Sequence, residues 1–156
     1  MKTMKRILVL AISIVLINSL AYADDVNVDY SELPAKARAF LEKHFGKTPA
    51  TKEVEQEQKG YSVELRNGYD VKFNAVGELM EIEAPDRKDI SQGIVTDVLP
   101  AKAVKYLKSK GLLGKIDDIK ILKNGDYIVE IDKMVNDYKI RFDRNGTIRE
   151  PRRDIR

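Results

Sequence analysis

The sequence contains no cysteine, no tryptophan and a single histidine, His44. The absence of cysteine excludes a disulfide framework, zinc–thiolate and iron–sulfur sites, a thiol nucleophile and a cysteine-linked lipid anchor. Also missing are a nucleophile elbow, a Walker loop, a Rossmann glycine pattern and a His-Glu-x-x-His motif. After residue 23 there is no second long apolar run, so no membrane span is expected beyond that point. His44 stands alone between Lys43 and Phe45, and the expected role is a residue in the last turn of a helix rather than a catalyst or ligand.

The excess of positive charge is local. The chain of 156 residues has 28 Lys and Arg against 25 Asp and Glu. Lys2, Lys5 and Arg6 lie in the first 23 residues, which hold no acid, so the remainder carries 25 of each sign and is neutral. A nucleic-acid partner is therefore not expected. The basic segment Arg149–Arg156 lacks interleaved aromatics and reads as a solvated tail. Residues 1–23 themselves read as a signal peptide. They have a basic start, an apolar stretch from Ile7 to Ile17, and Ala21-Tyr22-Ala23 as a cleavage site before Asp24. The expected location is the periplasm or the exterior, after cleavage at Ala23/Asp24.

Beyond residue 23 the sequence is duplicated. Leu33-Pro34-Ala35-Lys36-Ala37 recurs as Leu99-Pro100-Ala101-Lys102-Ala103, an offset of 66. Tyr61-x-Val63-x-Leu65 recurs at the same offset as Tyr127-x-Val129-x-Ile131. Tyr69-x-Val71-x-Phe73 recurs as Tyr138-x-Ile140-x-Phe142 at an offset of 69, so the second copy has three extra residues in its hairpin. The expected units are residues 24–90 and 91–156.

In each unit Leu-Pro opens a helix, because proline fits the first turn. Ser31 and Asp97 are cap candidates, and Gly46 and Gly111 are candidate C-terminal stops. Four short strands follow each helix, with period-two alternation in the clearest of them. If Leu65 faces Tyr69, then Val63 faces Val71 and Tyr61 faces Phe73. If Ile131 faces Tyr138, then Val129 faces Ile140 and Tyr127 faces Phe142. Both registers put aromatic and β-branched pairs on one face. The fold class is therefore α+β, with two tandem α-β-β-β-β units whose antiparallel sheet, or sheets, carry helices on one face and leave the other open.

These residues resemble the PepSY-like, beta-lactamase-inhibitor-like family of exported bacterial proteins. The resemblance rests on Leu33, Pro34 and Ala37, on Leu99, Pro100 and Ala103, and on Phe73-Asn74-Ala75-Val76-Gly77 and Phe142-Asp143-Arg144-Asn145-Gly146. Copy one has Asn74 where the family pattern prefers Asp. The resemblance implies an open sheet backed by helices, a role in binding or inhibiting another exported protein, and no catalytic residue. Fold likeness alone does not identify a target.

The open face is the candidate site. Ser62, Glu64, Arg66, Asp70 and Lys72 alternate onto it in the first copy, and Glu130, Asp132, Lys139 and Arg141 in the second. Ile119, Ile121 and Ile128 share it if the Asn124-Gly125 turn permits. The hairpin tip adds Met134 and Val135, which suit a protein contact. The expected partner-binding set is Glu64, Arg66, Lys72, Ile128, Met134, Val135, Lys139 and Arg141. The function expected from it is non-enzymatic, inhibitor-like binding of another exported or membrane-associated protein, without a cofactor. The alternative is a small-ligand or Ca²⁺-binding module, because Glu53, Glu55 and Glu57 alternate along one strand. No metal site is assigned, since acids alternating along a strand also protect a sheet edge from pairing.

Overall fold

In a computed structural model, residues 25–131 and 138–149 are described. The signal-peptide reading, Asp132, Met134, Val135 and the basic tail beyond Arg149 fall outside them. The order of elements is β1 (Val26–Asn27), a 3₁₀ turn (Tyr30–Glu32), α1 (Ala35–Phe45), β2 (Thr51–Glu57), β3 (Gly60–Leu65), β4 (Asp70–Asn74), β5 (Leu79–Glu83), α2 (Gln92–Val98), α3 (Ala101–Ser109), β6 (Ile116–Ile121), β7 (Tyr127–Ile131), β8 (Tyr138–Phe142) and β9 (Ile148–Arg149). The strands form one antiparallel sheet in which sequence order is spatial order, β1 to β9. The two repeats therefore share a sheet. Its seam is β5–β6, where Ile82 faces Ile119 and Glu83 faces Asp118.

Each expected register is present. Val63 pairs with Val71 and Tyr61 with Phe73; Val129 pairs with Ile140 and Tyr127 with Phe142. The apolar face lies under the helices. Phe40 of α1 meets Phe73 edge-on at 5.9 Å, and Tyr106 of α3 meets Phe142 at 5.8 Å. Leu41, Val63, Val71, Ile82, Leu107, Ile119 and Ile140 are all buried, in a single cluster that runs through both repeats.

Two sequence expectations need correction. Ser31 and Asp97 do not cap α1 and α3. Those helices start behind Pro34 and Pro100 with no side-chain cap, because Ser31 lies in the 3₁₀ turn and Asp97 lies inside α2. Asp97 instead accepts hydrogen bonds from Lys43 and His44. Ile119 is not on the open face. It pairs with Val129 and Ile82 on the helix-covered face, and Ile121, two residues on, takes the same side opposite Tyr127. The reason is the length of one turn. Two residues separate the paired Glu57 and Gly60 of β2 and β3, but three, Lys123-Asn124-Gly125, separate their counterparts Leu122 and Asp126, whose pairing is marked by Leu122 N donating to Asp126 O. The strand equivalents of Glu53 and Glu55 are thus Asp118 and Lys120, at an offset of 65. A shift in register at the same place in each strand, Thr51/Glu53 and Ile116/Asp118, marks the correspondence.

Candidate functional site

The pairing fixes which side chains stand next to one another on the open face. One row crosses six adjacent strands as Glu53, Glu64, Asp70, Glu83, Asp118 and Glu130, and ends at Lys139 on β8. At the usual strand spacing the six carboxylates span about 24 Å. The next row runs Glu55, Ser62, Lys72, Glu81, Lys120, Ile128, Arg141 and Arg149. Like charges directly opposite across strands are destabilising, so a run of five such adjacencies is an expense the fold does not require.

The two halves of the face treat this charge differently. In the second repeat it is neutralised from within. Lys120 Nζ lies 2.9 Å from Asp118 Oδ2, 3.1 Å from Glu81 Oε1 and 3.6 Å from Glu130 Oε1. Lys139 Nζ donates to Glu130 at 2.7 Å. Arg141 donates through Nε and Nη2 to Asp126 Oδ2 at 3.1 and 2.8 Å, and Arg149 adds a contact at 3.3 Å. Asp118, Asp126 and Glu130 are buried beneath these cations. Burial is the main reason that the Asp118 carboxyl is pushed up from 3.8 to about 6; Lys120 opposes the rise, and Glu81 and Glu130 reinforce it. Burial pulls Lys120 the other way, but its hydrogen bonds to Asp118 and Glu81 prevail and raise it.

In the first repeat the charge is met only in part, by Lys52 at Glu64, Lys120 at Glu81 and Lys72 within the face. A groove of about 410 Å³ is lined by Glu53, Glu64, Asp70 and Glu83 from one row and Glu55, Ser62, Lys72 and Glu81 from the other. Lys52 reaches Glu64 at 2.6 Å from the rim. Desolvation raises Asp70, with Glu64 adding to it. Desolvation likewise raises Glu55, followed by the charge of Glu53.

Of the residues expected to bind a partner, Glu64 and Lys72 line this groove. Arg66 follows β3 in the turn, with its N–H on Ala50 O, and is not part of the lining. Ile128 sits on the open face of the second half. Lys139 and Arg141 are on that face too, but their charges are engaged by Glu130 and Asp126. Sequence reasoning missed Glu81 and Glu83, although Leu79-Met80-Glu81-Ile82-Glu83 does alternate on the strand side of Ile82. His44 occupies the last turn of α1 as expected, its ring tilted 55° to that of Phe40 at 4.7 Å and its Nε2 2.9 Å from Asp97 Oδ2.

Asp118 provides a pH signature. The folded protein holds this proton more tightly than the unfolded chain does. Its stabilisation is therefore complete below about pH 4 and lost as pH rises through about 6. Asp118→Asn removes the titration. Urea unfolding should find the variant more stable than the parent at pH 7, on the order of 1–2 kcal/mol, with the gap closing near pH 4. A gap that does not change with pH would contradict the buried-carboxylate account.

The family described as "Putative beta-lactamase-inhibitor-like, PepSY-like" matches residues 22–81 and, in a second overlapping segment, 63–150. No curated protein matches the sequence. Among solved structures, the chain is similar to a "putative calcium-regulated periplasmic protein" from Bacteroides thetaiotaomicron, with a TM-score of 0.68 and 23% identity over 81% of this chain and 95% of that one. It is similar to a "putative periplasmic protein of unknown function" from Bacteroides vulgatus, with a TM-score of 0.66 and 24% identity over 81% of this chain and 98% of that one. At these identities the likeness establishes the fold.

Proposed function

The chain belongs to the beta-lactamase-inhibitor-like, PepSY-like family, and from that premise we propose that it is an exported, non-catalytic protein that binds another exported or membrane-associated protein through the open face of its sheet. The observation that carries this reading is the acidic groove over β2–β5. It is uncovered, it departs from the neutralised pattern of the second half, and it places like charges side by side without benefit to the fold. Charged faces of this kind steer association and select partners. Periplasmic placement is supported by the residue 1–23 pattern and by the description of both structural relatives as periplasmic.

The test is capture. The immobilised chain should retain a partner from a periplasmic extract of its own host, and Ser62→Trp, which fills the groove, should abolish retention. Capture that ignores Ser62→Trp would exclude the open face.

One observation favours a second reading, Ca²⁺ binding: the unbroken carboxylate row, together with the calcium-regulated description of the Bacteroides thetaiotaomicron relative. Ca²⁺ takes six to eight oxygens at about 2.3–2.6 Å. Among the described residues no three acids converge in a way that could hold a metal ion. The first reading therefore predicts that millimolar CaCl₂ leaves the melting temperature within about 1 °C, whereas a specific site would raise it by several degrees through mass action.

A further inference from the structure

We infer that the groove of the first repeat seats an extended segment of the partner bearing lysine or arginine, whose cationic heads take the places that Lys120 and Lys139 occupy in the second repeat. This rests on the protein-binding reading and adds the chemistry of the partner.

The duplication supplies an internal template. Strand for strand, Glu53 corresponds to Asp118 and Glu64 to Glu130, so a facing carboxylate pair is present in both copies. In the second copy two ammonium groups bracket the pair. Lys120 comes from two residues along the same strand and bonds Asp118 at 2.9 Å; Lys139 comes from the next strand and bonds Glu130 at 2.7 Å. The matching positions in the first copy are Glu55 and Asp70. There the bracketing cations are replaced by carboxylates, and no lysine or arginine among the described residues forms an ion pair with Glu53, Asp70 or Glu83. A second observation adjoins the groove. Asp118 stands directly opposite Glu83. Its side chain is 6% exposed and its Oδ1 has no hydrogen-bond partner. Its other oxygen, Oδ2, is held by Lys120 at 2.9 Å, so Asp118 marks the edge where the neutralised half ends and the groove begins.

The spacing suits a chain better than an ion. Glu53, Glu64, Asp70 and Glu83 lie on four successive strands, about 14 Å from end to end. An extended segment projects side chains to one side about every 6.8 Å, so two or three cationic heads match the row. Each needs only one or two carboxylates for a charge-assisted hydrogen bond. A metal ion would need several of them within one coordination sphere, and among the described residues no three acids converge in that way.

The probe is a fluorescein-labelled (Lys-Ser)₄ peptide, with (Glu-Ser)₄ as its control, titrated with the purified full chain and followed by anisotropy. The expected result is binding of the lysine peptide alone, weakened at least tenfold by E53Q/E83Q and by raising salt from about 0.05 M to 0.5 M. Lys105→Ala, at an exposed position of α3 away from the open face, should change it less than twofold. Circular dichroism melts confirm that each variant is folded. The inference is overturned if the lysine peptide does not bind, or if E53Q/E83Q leaves binding unchanged. It is also overturned if CaCl₂ shifts the melt of the parent and not of E53Q/E83Q while the peptide stays free. Extract capture that is lost in Ser62→Trp but kept in E53Q/E83Q would leave the protein-binding reading standing and remove only the cationic partner. A parent chain that neither captures a protein from the extract nor binds the lysine peptide would remove both.

Discussion

Phe142→Ala should cost about 4 kcal/mol of unfolding free energy in urea titration, and lower the melting temperature by roughly 15 °C. The ring is fully buried. It faces Tyr127 across the β7–β8 ladder and packs edge-on against Tyr106 of α3. Removing it takes away the ring contact to Tyr106, one of the contacts that join α3 to the sheet beside buried Ala103 and Leu107, and leaves a cavity bounded by the β-sheet. Typical domain stability is about 5–15 kcal/mol, so the variant should lie near the edge of folding. Phe73→Ala, the same position in the first repeat, should cost a similar amount, because Phe73 meets Phe40 in the same edge-on geometry. A loss below about 1.5 kcal/mol at either site would mean that the helices are anchored by something other than these rings.

The second large effect concerns the two glycines of the repeated turn. Gly77→Ala and Gly146→Ala should each cost about 3 kcal/mol, combining the left-handed backbone penalty with steric overlap. Gly77 has φ +82, and a Cβ there would lie 2.7 Å from Pro34 Cβ and 2.9 Å from Ala37 N. Gly146 has φ +77, and its Cβ would lie 2.8 Å from Ala103 N and 2.9 Å from Pro100 Cβ. Each helix start thus sits on its own hairpin turn. This is why Leu-Pro-x-x-Ala and Phe-(Asn/Asp)-x-x-Gly occur together in both copies. Asn74 Oδ1 accepts from Val76 N and Glu78 N, and Asp143 Oδ1 accepts from Asn145 N and Thr147 N, so Asn and Asp fix the turn backbone alike, while Asn74 alone also donates through Nδ2 to Glu78 at 2.9 Å. The sites are far apart in the sheet order, so the double variant should show nearly additive losses. Gly93→Ala is the control. It lies in α2 with open space around it, and should gain about 0.5–1 kcal/mol from helix propensity alone.

The duplicated landmarks made most of the fold legible. The Tyr-x-Val-x-Leu and Tyr-x-Val-x-Phe strands set their own partners, because a one-residue slip would turn Val63 and Val71 to solvent. Other features left weaker traces. The seven residues of α2 carry too few turns for periodicity to show, even though Ser91 Oγ accepts from Ile94 N as a cap. The two residues of β1 are fixed by pairing with Gln56 and Glu55, not by their own composition. The β5–β6 seam joins residues more than thirty positions apart, and no local pattern announces it. The acidic row depends on that seam and on every register at once. Glu53, Glu64 and Asp70 alternate visibly as single strands. That Glu83 continues their row, and that Asp118 and Glu130 extend it, emerges only from the assembled sheet. The face that Ile119 takes depends on the Asn124-Gly125 turn, which is one residue longer than its counterpart in the first copy and turns Ile119 toward the helices.

The central claim is that the carboxylate row of the first repeat serves binding and not the fold. The most direct measurement is the melting temperature of Glu53→Gln/Asp70→Asn/Glu83→Gln beside the parent, at low and at high salt. Like-charged neighbours cost a few tenths of a kcal/mol each, so the account predicts that the variant melts about 2–5 °C higher at low salt, with the difference shrinking as salt screens the row. A variant that melts lower than the parent would show the row to be part of what holds the sheet together, and would contradict the account.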